Sequence, residues 1–117
     1  MFQLRFQPQQ GHFLVHLVGL VSLPAWEAGL RELREALEGQ PGDRLVVDLT
    51  GLVGFLGVPE RTAVGNLMAV HLKRMKRVAI HVQAEKIAGV VEAQAQRQGL
   101  DLRVFPSHEQ ALAWVLS

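Results

Sequence analysis

The sequence predicts an α/β fold, a single-layer mixed sheet, mostly parallel, with covering helices in the order ββαβαβαβα. Three observations carry this. The N-terminal segment alternates apolar and polar residues with a period of two, then turns back on itself. Two later runs, "RLVVDL" and "RVAIHV", are short, continuous and β-branched, the pattern of strands buried on both faces. Between such runs the apolar residues recur at helical spacing.

Taken in order, "FQLRFQ" sends Phe2, Leu4 and Phe6 to one face and polar neighbours to the other, a strand with one solvated side. "PQQG" supplies turn residues, and "HFLVHLVGLV" is a second, more apolar strand, so an antiparallel hairpin is expected. From Pro24 the period changes. Trp26, Leu30, Leu33 and Leu37 form one helical stripe, and Glu27–Arg31, Arg31–Glu35 and Arg34–Glu38 pair opposite charges on the exposed side. Gly39 and "QPGD" end that helix, and "RLVVDL" follows as a buried parallel strand.

After the loop "LTGLVGFLGVPERT", Pro59 opens a helix as its first residue, with Glu60 near the positive end. Ala63, Val64, Leu67, Met68, Val70 and Leu72 give this helix a wide apolar face. "RVAIHV" is the next strand. "AEKIAGVVEAQAQRQG" reads as one helix ending at Gly99, with Gly89 an internal cost. "LDLRVF" is the last strand. Ser107 then caps a final helix in a capping box with Gln110, and Ala111, Leu112, Trp114 and Val115 dock it. No repeat or linker divides the chain, so residues 1–117 are expected to form a single domain.

Composition narrows the function classes. Hydrophobic residues at 49% and charged residues at 20% are ordinary for a soluble domain with its own core. The absence of cysteine excludes disulfides and thiolate metal sites. "MFQLRFQPQQ" has no signal-peptide pattern, and no run reaches the ~18 apolar residues of a membrane span. A cytoplasmic protein without an integral membrane segment is expected. A net charge of +1 points to no class of partner, and nucleic acid would call for a more basic surface. The one basic cluster, Lys73, Arg74, Lys76 and Arg77 in "HLKRMKR", reads first as cations complementing a helix C-terminus.

The parts of an active site are missing. Side-chain hydroxyls occur only at Ser22, Thr50, Thr62, Ser107 and Ser117, and neither G-x-S-x-G nor H-E-x-x-H is present. No enzyme activity and no catalytic residues are expected. Asp48 ends the third strand, and the sequence sets no second acid or histidine beside it, so it reads as a carboxylate that fixes the turn. "GLVGFLG" matches no nucleotide-binding motif, so no cofactor is expected. His12, His16, His71, His81 and His108 are scattered. His12 and His16 share a strand face, but about 13 Å apart, too far to share a metal. No metal site is expected.

"LVVDLTGL" leading into a glycine-bearing loop and helix, together with "LRVFPSHEQALAWVL" and the element order, resembles the STAS family of anti-sigma-factor antagonists and sulfate-transporter domains. Across essentially the whole chain, the likeness is greatest to the SpoIIAA-like relatives. The resemblance implies a non-catalytic regulatory or scaffolding module that binds a protein partner through the loop after the third strand and the following helix. Gly54, Phe55, Leu56, Gly57, Val58, Glu60, Arg61 and Thr62 are then the candidate site, and a homodimer is one form of that partnership. Antagonists of the family carry a phosphorylatable Ser or Thr in this loop. The matching stretch here, Leu56 to Pro59, has none, and Thr50 and Thr62 only flank it.

SpoIIAA-like proteins also resemble lipid-binding CRAL-TRIO domains in fold, which implies an alternative. The chain would then carry or sense a small apolar or lipid-like ligand in a pocket under the same loop and helix, with Phe55, Leu67 and Met68 lining it. Such a pocket measures about 300 Å³ or more. The first reading expects exposed loop apolars without a deep cavity, and the second expects the cavity.

Overall fold

A computed structural model describes residues 1–117 and shows the expected order. Strands β1 (Gln3–Gln9) and β2 (His12–Leu20) form the hairpin, and α1 (Leu23–Leu37) leads to β3 (Arg44–Val53). Helix α2 (Val58–His71), β4 (Arg77–His81), α3 (Val90–Arg97), β5 (Leu102–Phe105) and α4 (His108–Leu116) complete the chain. The strands lie side by side in sequence order, antiparallel between β1 and β2 and parallel from β2 to β5.

That order decides the layering. Right-handed crossovers between consecutive parallel neighbours put every connecting helix on the same side of a sheet. Accordingly α1, α2 and α3 share one face, where Leu30, Leu33, Val64, Met68 and Ala95 pack on Val15, Leu17, Leu45, Val47, Val78 and Ile80. Helix α4 covers the other face, setting Ala111 and Val115 against Val46 and Ala79. Strand β3 is therefore covered on both sides, and Leu45, Val46 and Val47 are at most 1% exposed.

Helices α1 and α4 start at serine caps. Ser22 Oγ accepts from the Ala25 N–H (3.1 Å) and Ser107 Oγ from the Gln110 N–H (3.1 Å). The basic cluster works at helix C-termini, but on other helices than its own. Arg74 donates to the Leu37 and Gly42 carbonyls (2.8 and 2.7 Å) at the end of α1, and Arg77 to the Trp114 carbonyl (2.7 Å) at the end of α4. Arg44 joins Arg77 there by donating to the Val115 carbonyl. Lys73 and Lys76 stay in solvent.

Four expectations need correction. Residues 84–99 do not form one helix: a single 3-10 turn (Ala84–Lys86) precedes α3, which starts at Val90. Gly89 is not inside the helix but at its N-cap, with φ +78, a left-handed conformation that glycine adopts without strain. Pro59 is the second residue of α2 rather than the first. The apolar face of α2 is also narrower than expected. Val64, Met68 and Leu72 are buried, but Val70 is 57% exposed and Ala63 and Leu67 are only partly covered. These three flank a groove between α1 and α2, away from the sheet.

Helix α2 instead makes its close contact with α3 through Gly65. A Cβ there would stand 2.8 Å from Gln94 Cβ and 2.9 Å from the Val91 carbonyl, so the two backbones meet without room for a side chain. Gly65→Val is expected to cost about 1–3 kcal/mol by overpacking. The measurement is urea denaturation, where the midpoint should fall at an unchanged slope.

Candidate functional site

The site begins with an irregularity at the end of β3. His16 pairs with Asp48 across β2 and β3, but Val18 pairs with Gly51, so β3 carries one extra residue between those two rungs. Such a bulge re-aims the strand beyond it. Asp48 pins it. Its Oδ1 accepts from the Thr50 N–H (2.9 Å) and the Thr50 hydroxyl (2.7 Å), and its Oδ2 accepts from His16 Nδ1 (2.9 Å). The strand then runs on through Gly51, further than "RLVVDL", burying Leu52 and leaving Val53 63% exposed.

Gly54 (φ +102) turns the chain out of the sheet, and 54–57 are all that remain of the loop. Its apolar residues divide. Leu56 packs on the main core, whereas Phe55 is 76% exposed and Val58, the first residue of α2, is 60% exposed. The turn is tied down on its far side, where the Gly57 N–H donates to Glu60 Oε1 (3.1 Å) and the Arg61 N–H to the Gly57 carbonyl (2.9 Å). Thr62 Oγ1 donates back to the Val58 carbonyl (3.0 Å), as a helix-bound hydroxyl does.

Behind the loop lies an open cleft of about 150 Å³. Its buried floor includes Trp26, Leu49, Met68 and Ile80. Phe55 and Leu56 form one wall, and residues 87–91 form the other. Three charged side chains reach it. Lys86 Nζ donates to the Leu52 carbonyl (3.1 Å) and lies 5.9 Å from the centre of the Phe55 ring. Glu92 Oε2 accepts from the Val104 N–H (2.7 Å). Arg61 is the third, and its guanidinium pairs with no protein acceptor.

Of the expected site residues, Gly54, Phe55, Leu56, Arg61 and Met68 border the cleft together. Gly57, Val58, Glu60 and Thr62 sit beside it on the turn and helix start without lining it. Leu67 does not belong there. It lies in the groove between α1 and α2, which is wider, about 340 Å³, but is lined by six residues only and open to solvent. The wall formed by residues 87–91, with Lys86 and Glu92, escapes a reading of the sequence because that stretch scans as helix. Gly89 is the signal that could have broken it.

Asp48 also has neighbours that the sequence did not suggest. His16 and His81 flank it from β2 and β4, His81 Nδ1 lying 3.7 Å from Oδ1, beyond hydrogen-bond reach. The three are register partners, each following three apolar residues of its strand in "FLVH", "LVVD" or "VAIH". Burial would raise the Asp48 carboxyl, but the Thr50 N–H, the Thr50 hydroxyl and His16 together outweigh it and hold it below its ordinary 3.8.

A carboxyl depressed on folding adds stability that is present above its unfolded value and is lost as pH falls through the folded one. Asp48→Ala is therefore expected to cost about 1–3 kcal/mol at neutral pH. The difference from the natural chain should shrink as acid takes the pH below 3.8. Urea titrations across that range measure both.

Compared with protein families and with curated proteins, the sequence matches none. Solved structures do match. One is a protein of the DUF3478 family with a SpoIIAA-like fold from Shewanella loihica, at 23% identity and a TM-score of 0.64, over 97% of this chain and 93% of that one. Another is an anti-sigma factor antagonist from Mycobacterium paratuberculosis, at 16% identity and a TM-score of 0.70, over 100% of this chain and 96% of that one. At such identities the likeness carries the architecture, and the chain has the SpoIIAA-like fold.

Proposed function

We propose that this SpoIIAA-like domain is a non-catalytic regulatory or scaffolding module that binds a protein partner through the lip formed by Phe55, Val58 and the start of α2. The observation behind the reading is that large apolar side chains stand in solvent on a turn tied at one end by the Val21 N–H to the Val53 carbonyl and at the other by the Gly57 N–H to Glu60. Leu20 (69% exposed) and Val53 are paired across β2 and β3 and extend the patch along the sheet's end. Contiguous exposed apolar surface of this kind marks interaction sites. The antagonist among the structural neighbours is named for action on another protein, in keeping with this reading.

Phosphate on the loop is no part of the proposal, since Leu56 to Pro59 offer no hydroxyl. Catalysis is left out because the Thr50 hydroxyl donates to the Asp48 carboxylate rather than to an imidazole that could activate it. A carrier of lipid-sized ligands fits less well, because the cleft has about half the volume such a ligand needs. No helix is long and apolar enough to cross a membrane, and the reading places the protein in the cytoplasm.

The test is capture of partners from the host by tagged protein, with quantitative mass spectrometry. Phe55→Asp and Val58→Asp should each lose the partner at least tenfold, while Leu116→Asp, an exposed position on α4, retains it. All three replace exposed side chains and should leave stability within about 0.5 kcal/mol. A partner kept by both lip variants would refute the proposal.

A further inference from the structure

We infer that the cleft behind the lip is a binding site for a small amphipathic carboxylate, its apolar end on the Trp26–Met68–Ile80 floor and its head at Arg61. Size, lining and charge each restrict the occupant. A volume of about 150 Å³ is that of an apolar cavity that takes benzene, so the tail is one ring or a short alkyl group rather than a lipid chain. The floor residues are buried, and apart from the Trp26 indole N–H and the Met68 thioether they present only hydrocarbon to such a tail.

The charged groups set the head. Lys86 and Glu92 are already engaged, with the Leu52 carbonyl and the Val104 N–H. Arg61 is not, and a guanidinium presents a planar fork that matches a carboxylate with two parallel hydrogen bonds. Two cations against one carboxylate leave the rim net positive, which disfavours a cationic amphiphile. A neutral one of the same shape would gain the floor but leave Arg61 unpaired. Phe55 belongs to both the cleft and the lip, so the occupant sits against the surface offered to the partner. Its role as an effector of that surface rests on the function proposed above, whereas its binding does not.

The test uses one tail with three heads: 3-phenylpropionate, 3-phenylpropanol and 3-phenylpropylammonium. The chain has two tryptophans, so Trp114→Phe leaves Trp26 on the cleft floor as the sole reporter. Trp26 emission and calorimetry of the natural chain should both saturate with the carboxylate. The alcohol should bind at least tenfold more weakly and the ammonium not at all. Arg61→Gln, its fold checked by an unchanged urea midpoint, should bring the carboxylate to the level of the alcohol. Absence of saturable binding by either readout, equal affinity for the three heads, or unchanged carboxylate affinity in Arg61→Gln would overturn the inference. Those results involve no protein partner, so they are separable from failure of the capture experiment.

Discussion

The double burial of β3 governs the rest of the molecule. A parallel strand in the middle of a sheet must be covered on both faces, and Leu45, Val46 and Val47 meet that demand with no polar atom in their side chains. Sequential strand order assigns α1, α2 and α3 to one face and leaves the other to α4. After Arg44 at its start, the next polar side chain on the strand, Asp48, comes where that double cover ends. There its carboxylate gathers the Thr50 backbone and hydroxyl and His16, and the strand bulges. The lip's position follows from where the core stops.

Beyond the bulge the apolar residues divide between two tasks. Leu52 and Leu56 close the end of the core, while Phe55 and Val58 remain outside it. Burial of one such side chain is worth about 1.5–3 kcal/mol. Phe55, Val58, Leu20 and Val53 together therefore offer roughly 6–12 kcal/mol. That is comparable with the roughly 4–15 kcal/mol that association costs in lost freedom. The lip can anchor a partner but not hold one tightly alone, which suits reversible regulation better than permanent assembly.

Much of this was legible in the sequence, for physical reasons. The alternation around Phe2, Leu4 and Phe6 and the stripe of Trp26, Leu30, Leu33 and Leu37 are direct records of which side faces the core. The start of α3 was not legible, because Val90 and Val91 continue a helical pattern across Gly89, and only backbone geometry separates turn from helix. Nor was the division of α2, since Val64 and Val70 are the same residue type and differ only in what packs on them. The two companions of Asp48, His16 and His81, each follow three apolar residues as Asp48 does, but seeing them together requires strand register, which no single strand carries. The loop lies within the expected stretch but shrinks to residues 54–57 between a longer β3 and an earlier α2, and the wall opposite it was not foreseen, because the two meet only in space.

The most direct measurement is hydrogen–deuterium exchange of the domain in complex with its captured partner, compared with the free domain. If the lip is the contact, exchange should slow across residues 54–64 and stay unchanged in α4 and β5. Slowing confined to α4, β5 or the outer edge of β1, with residues 54–64 exchanging as in the free chain, would contradict it and move the interface elsewhere on the fold.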